Sequence, residues 1–168
     1  MRFQGDLPLA VNAGAMARTV QHLFAVRVES VIQPMGFTLS QWTVMRELRR
    51  TPGASASELA RAAGHTPQAC GAILKQLQAD GIVERTAGRG RIVENRLTAH
   101  GAEVTDETVR KADAALRPAL EEFGHDSLDA FLRLAARLVE TLDPVAGDGP
   151  RPLNRLWVQD GPSDAPRA

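Results

Sequence analysis

The side chains that could do chemistry gather between Thr66 and Arg96. Thr66, Gln68, Lys75 and Gln76 come first, hydrogen-bonding and cationic groups with no nucleophile–base pair among them. Glutamine matches the N6/N7 edge of adenine with two hydrogen bonds, and a threonine opening a helix suits a phosphate oxygen. Arg85, Arg89 and Arg91 follow, the last two in the run Ala87-Gly88-Arg89-Gly90-Arg91. Arginine on a glycine turn fits phosphate and a narrow minor groove. From Arg61 to Arg96 six basic residues stand against three acidic ones, so the segment carries +3 in a chain whose 20 basic and 20 acidic residues cancel. Local positive charge on a neutral body is an electrostatic footprint for phosphate, as in double-stranded DNA, with an ordinary mixed solvated surface as the competing reading. Plainer roles compete: Thr66 as a simple cap, Lys75 and Gln76 as solvated surface, Arg85 as partner to an acid of the body.

Other chemistries are poorly supplied. One cysteine, Cys70, allows neither an internal disulfide nor a cysteine metal cluster. On an apolar helix face it is either an oxidisable thiol or an inert small hydrophobe. His22, His65, His100 and His125 lack the i, i+4 spacing of a metal pair. There is no phosphate loop, nucleophile elbow or catalytic carboxylate pair, so neither an enzyme nor a cofactor nor a metal is expected. No apolar run approaches about eighteen residues and the N-terminus lacks signal-peptide order, so a cytoplasmic protein with no membrane partner is expected.

These residues need elements to hold them. Thr66 can cap a helix with Pro67 at its first position, and Cys70, Ile73, Leu74 and Leu77 then share one face. Gly81 suits the left-handed position that closes it. The period then changes: residues 82–86 and 91–97 read as strands around a turn at 87–90, a wing. Ahead of this, Ser55-Ala56-Ser57-Glu58 is a capping box for a short helix through Ala63, with Gly64 as its stop. Short helix, glycine turn and second helix make a helix-turn-helix. Residues 1–13 read as loosely ordered, 14–33 as a first helix, and Thr38-Leu39-Ser40-Gln41 as a capping box opening a second. Thr98 can cap a fifth helix over 99–117 that Pro118 kinks or breaks, and Asp126 a sixth through Leu142. Residues 144–168, rich in proline and glycine, read as an irregular tail.

The expected fold is mainly α with a small β-wing. The expected parts are an arm and dimerisation helix over 1–36, a winged helix-turn-helix over 37–97, dimerisation helices over 98–143 and a tail over 144–168. The wide apolar faces of the first, fifth and sixth helices need covering, and a second copy of the chain does this most economically. Duplication also suits DNA, because recognition helices about 34 Å apart meet successive major grooves.

The arrangement resembles the MarR family of bacterial transcription regulators. The matching residues are Leu39-Ser40-Gln41-Trp42, Ser57-Glu58-Leu59-Ala60, Leu77 to Arg85, and Leu97-Thr98-Ala99-His100-Gly101, in that order. The resemblance implies a homodimer joined by its terminal helices, palindromic promoter DNA, and repression relieved by a small aromatic or acidic effector. It also places His22 and Trp42 on helices that line the effector pocket; core or surface roles remain open for both. The wing departs from the family pattern, being shorter and lacking an aspartate before its arginine. Gly71 and Ala72 stand where the family often has a small hydroxyl residue and an arginine. The departures leave a second reading open, a winged-helix protein-interaction module or effector sensor with weak or no sequence-specific DNA binding.

Overall fold

The computed structural model describes residues 8–88 and 92–142. The segment 1–7, the wing-tip residues Arg89, Gly90 and Arg91, and the expected tail lie outside the described residues. The elements are α1 (Leu9–Ile32), α2 (Leu39–Arg50), α3 (Ala56–Ala63), α4 (Pro67–Ala79), β1 (Val83–Ala87), β2 (Val93–Leu97), α5 (Ala99–Phe123) and α6 (His125–Leu142), with a 3-10 turn at Gln33–Met35. The chain is thus mainly α with a two-stranded antiparallel wing.

Local chemistry sets most of these bounds. The Thr38 hydroxyl accepts from the Gln41 N–H at 3.2 Å while the Gln41 side-chain oxygen accepts from the Thr38 N–H at 2.9 Å. Ser55 and Glu58 repeat the exchange at 3.3 and 2.8 Å. The Ser55 N–H, and then its hydroxyl, hold the Glu58 carboxyl below its ordinary range. Gly64 sits at φ 69° and makes the tight turn between α3 and α4.

Three expectations need correction. α1 starts at Leu9, so the last residues of the supposedly loose arm are helical: Pro8 precedes the helix, and Leu9, Ala10 and Ala13 in its first turns cost little to wind. α5 does not stop at Pro118 but continues to Phe123. Proline removes one donor from the ladder, yet Pro118 and Ala114 are both exposed, so the orphaned carbonyl faces water. α6 starts at His125, which puts Asp126 inside its first turn, where a carboxylate still complements the helix dipole.

Two apolar clusters hold the parts together. Val44, Met45, Leu48, Leu59, Cys70, Leu74, Leu77, Ile82 and Val83 join α2, α3, α4 and the base of the wing. Val28, Ile32, Trp42 and Ala112 join α1, α2 and α5. α5 looks thin in apolar residues because part of its buried face is threonine. Thr105 and Thr108 are fully buried, and their hydroxyls donate to the carbonyls of Gly101 at 2.6 Å and Thr105 at 2.7 Å. α6 buries none of its residues, and Phe131, Leu134, Leu138, Val139 and Leu142 all stand exposed on it. Met16, Leu23, Phe24 and Val26 are exposed on α1.

Candidate nucleic-acid interface

α4 turns Cys70, Leu74 and Leu77 into the core and leaves the opposite face outward. That face carries Gln68, Ala72, Lys75, Gln76 and Ala79, all exposed and spaced by three or four residues. Thr66 caps the helix: its hydroxyl accepts the Ala69 N–H at 3.1 Å. Capping and phosphate contact are compatible for Thr66, because the side chain remains exposed. Gln76 is engaged within its helix, its amide donating to the Asp80 carboxylate at 3.0 and 3.2 Å. Gln68 and Lys75 therefore present the least encumbered side chains of the face.

The wing stands beside α4 with Val83 opposite Leu97, Arg85 opposite Asn95 and Ala87 opposite Val93. Arg85 is half-buried and its Nε donates to the Asn95 side-chain oxygen at 3.1 Å. The sequence reading allowed an acid of the body as its partner; the partner is an amide on the neighbouring strand. Gly88 closes the described part of the hairpin, its N–H donating to the Ile92 carbonyl at 2.8 Å. A Cβ at Gly88 would lie 2.8 Å from the Glu94 side chain and 3.2 Å from the Ile92 carbonyl oxygen, so a side chain there would have to push Glu94 aside.

Cys70 is fully buried, and burial pushes its thiol above the ordinary range. A thiol so placed has little thiolate at neutral pH, which favours the inert reading. Of the two residues carried over to an effector pocket, His22 is exposed on α1. Trp42 is 8% exposed, packs with Val28, Ile32 and Ala112, and has the Arg46 guanidinium 4.9 Å from its ring centre. Its indole N–H is buried and makes no hydrogen bond, as is the Nε2 of His65 in the turn between α3 and α4.

Sequence reasoning missed two residues. Glu47, 1% exposed on α2, is held by Arg50 at 3.1 Å and Arg46 at 3.3 Å. Its flanking arginines were the signal. Asn95, buried in β2, was passed over because a polar residue in a wing reads as surface. Strand alternation with Leu97 would have placed it on the inward face. Elsewhere Arg49 grips Asp106 through two bonds of 2.9 and 3.0 Å, tying α2 to α5. That hydrogen bonding holds the Asp106 carboxyl low, but the pair is solvent-exposed and contributes little stability.

A capped α3, a left-handed glycine turn, an outward-facing α4 and an adjoining hairpin define a winged helix-turn-helix. A MarR family model matches residues 35–92. The HTH-type transcriptional repressor Rv2887 of Mycobacterium tuberculosis is 36% identical over 119 residues, covering 68% of this chain and 83% of that protein. Its crystal structure in complex with p-aminosalicylic acid aligns at 30% identity with a TM-score of 0.64, over 79% of this chain and 98% of that one. Its structure in complex with DNA aligns at 29% identity and 0.62, over the same shares. The chain belongs to the MarR family of transcriptional regulators, so its work is regulatory and not enzymatic. No helix among the described residues is long and apolar enough to cross a membrane.

Proposed function

We propose that the chain is a homodimeric repressor that binds a pseudo-palindromic promoter site and is released by a small aromatic or acidic effector. The observation that carries this reading is a pairing of exposed faces. α4 offers its polar side outward, while α6 and much of α1 offer apolar sides that the other described residues leave uncovered. Apolar patches of this kind mark protein contacts. Residues 37–97 form the reading head, and 1–36 with 98–143 form the pairing part. The work is placed in the cytoplasm, where a promoter is reached.

DNA binding is assigned to Thr66, Gln68, Lys75 and Gln76 on α4 and to Arg85, Arg89 and Arg91 on the wing. The relative Rv2887, which has been solved in complex with DNA, supports DNA as the partner, and the outward polar face of α4 supports the choice of residues on that helix. Complexes of the same relative with p-aminosalicylic acid and with salicylic acid support an aromatic acid as effector. In this chain the buried Trp42 indole N–H is a donor that an effector's carboxylate or hydroxyl oxygen would satisfy. Such a ligand would sit among α1, α2 and α5, the helices that set where the reading head lies.

A mobility-shift titration against the DNA upstream of the chain's own gene tests the reading. Binding is expected near nanomolar and to fall steeply with salt. Replacing Arg89 and Arg91 with alanine should weaken binding to every duplex alike and flatten the salt slope by about 0.9 per lost phosphate contact. Parent-like binding by that double variant would reject the wing assignment. Gln68→Ala should instead relax preference at a single base pair, by about 1–3 kcal/mol, as read by competition with single-substitution duplexes. Unchanged discrimination at every position would remove Gln68 from the interface.

A further inference from the structure

The wing is anchored to the rest of the molecule by a side chain with no role so far. Asn95 is fully buried. It stands on β2 opposite Arg85, on the face turned toward the body. Its side-chain N–H donates to the Ala54 carbonyl at 2.8 Å and to the Val93 carbonyl at 3.2 Å. Its side-chain oxygen accepts the Arg85 Nε–H at 3.1 Å, and its main-chain oxygen accepts the Gly53 N–H at 2.8 Å. Gly53 lies at φ +88°, and a Cβ there would come within 3.0 Å of the Arg96 guanidinium, so turn and strand already touch.

A buried amide is costly to desolvate, and an aliphatic residue would fill the same space without that cost. What the amide adds is direction. Apolar contact lets a two-stranded ribbon rock about its base; directional hydrogen bonds that join both strands to the body do not. Besides its own strand at Val93, the amide reaches β1 through Arg85 and the turn between α2 and α3 through Ala54. Ala54 lies two residues before the first residue of α3, so the amide links the wing to the start of the helix-turn-helix.

We propose that Asn95 is a positioning residue for DNA binding, its amide fixing the angle between the wing and the α3–α4 pair. The inference rests on the DNA-binding reading above. It gives Arg85 the part of a strut that holds the clamp. A wing at the wrong angle still carries its charge but no longer brings it to the phosphates that α4's position selects.

The test uses the full chain with Asn95→Val, which removes the whole amide, and Asn95→Asp, which keeps an acceptor for Arg85 and loses the donor to Ala54. Binding is measured by fluorescence anisotropy across a salt series, on the upstream duplex and on a scrambled duplex of equal length. Both variants should bind both duplexes about tenfold more weakly, with a flatter salt slope than the parent. A role in folding alone would lower the melting temperature and leave slope and affinity unchanged below it, and that result overturns the proposal. Hydrogen exchange without DNA reads the clamp directly. The Gly53 amide should exchange faster in Asn95→Val while the Gly88 amide, bonded within the hairpin, keeps its protection. Equal protection at Gly53 overturns the clamp even if affinity falls. A parent that binds neither duplex overturns the DNA reading instead, and the positioning role with it, whatever the Gly53 amide does.

Discussion

Gly101→Ala is expected to cost at least about 3 kcal/mol of stability, while the same change at Gly71 should add about 0.5–1 kcal/mol. Both glycines lie inside helices, so propensity alone predicts a gain at each. Surroundings decide the sign. A Cβ at Gly101 would lie 2.0 Å from the Ile82 carbonyl oxygen and 2.9 Å from its carbon, with backbone on both sides of the clash. At Gly71 a Cβ meets nothing within 4 Å. Relief at Gly101 requires α5 to back away from the start of the wing. That movement strains the Thr98 N–H bond to the Ile82 carbonyl at 3.0 Å and the Thr98 hydroxyl bond to the Gly81 carbonyl at 2.8 Å. Because domains of this size hold only about 5–15 kcal/mol, the loss is a large share of the total. Urea unfolding at one fixed protein concentration checks both variants, since pairing makes apparent stability concentration-dependent. A Gly101→Ala midpoint equal to the parent's would contradict the close approach.

The second large effect concerns pairing. Leu134 and Leu138 are 64% and 49% exposed on α6, so glutamates there disturb little within their own chain. In a homodimer closed over this face they would bury like charges against an apolar surface, which costs several kcal/mol per unpaired charge. The Leu134→Glu/Leu138→Glu variant should therefore run at half the parent's mass by light scattering, with its helical circular dichroism retained. Its affinity for a two-half-site duplex should drop about a hundredfold or more, because two linked heads bind through each other's effective concentration. An unchanged mass would remove α6 from the interface, and unchanged affinity in a monomer would remove the need for two heads.

The reading head was largely legible in the sequence because its bounds are set by neighbours. Thr38–Gln41, Ser55–Glu58, Thr66–Pro67 and Gly64 each determine a helix end through contacts within a few residues, and the structure has those caps. Where the deciding contact is distant, reading failed. Nothing near Asn95 in sequence announces Ala54, 41 residues away, as its partner. Thr105 and Thr108 hid the buried face of α5, because a hydroxyl that bonds back to its own helix looks polar in a sequence and behaves as packed volume in a fold. Pro118 misled in the opposite way, since its cost depends on whether the freed carbonyl reaches water, a property of the surface and not of the residue. The outward face of α4 followed from periodicity, whereas what its side chains touch depends on a partner that the chain's own sequence does not encode.

α5 leaves Thr98 at the root of the wing and runs 25 residues without interruption to the glycine that precedes α6. At 1.5 Å per residue that is a strut of about 37 Å. On the proposed division, the part that reads and the part that pairs would share this one helix. A duplex that gains a single base pair between half-sites rotates one of them by about 34°. In the proposed homodimer a continuous α5 would have to bend, or the DNA would, to follow that rotation, so operator spacing would be selected along with operator letters.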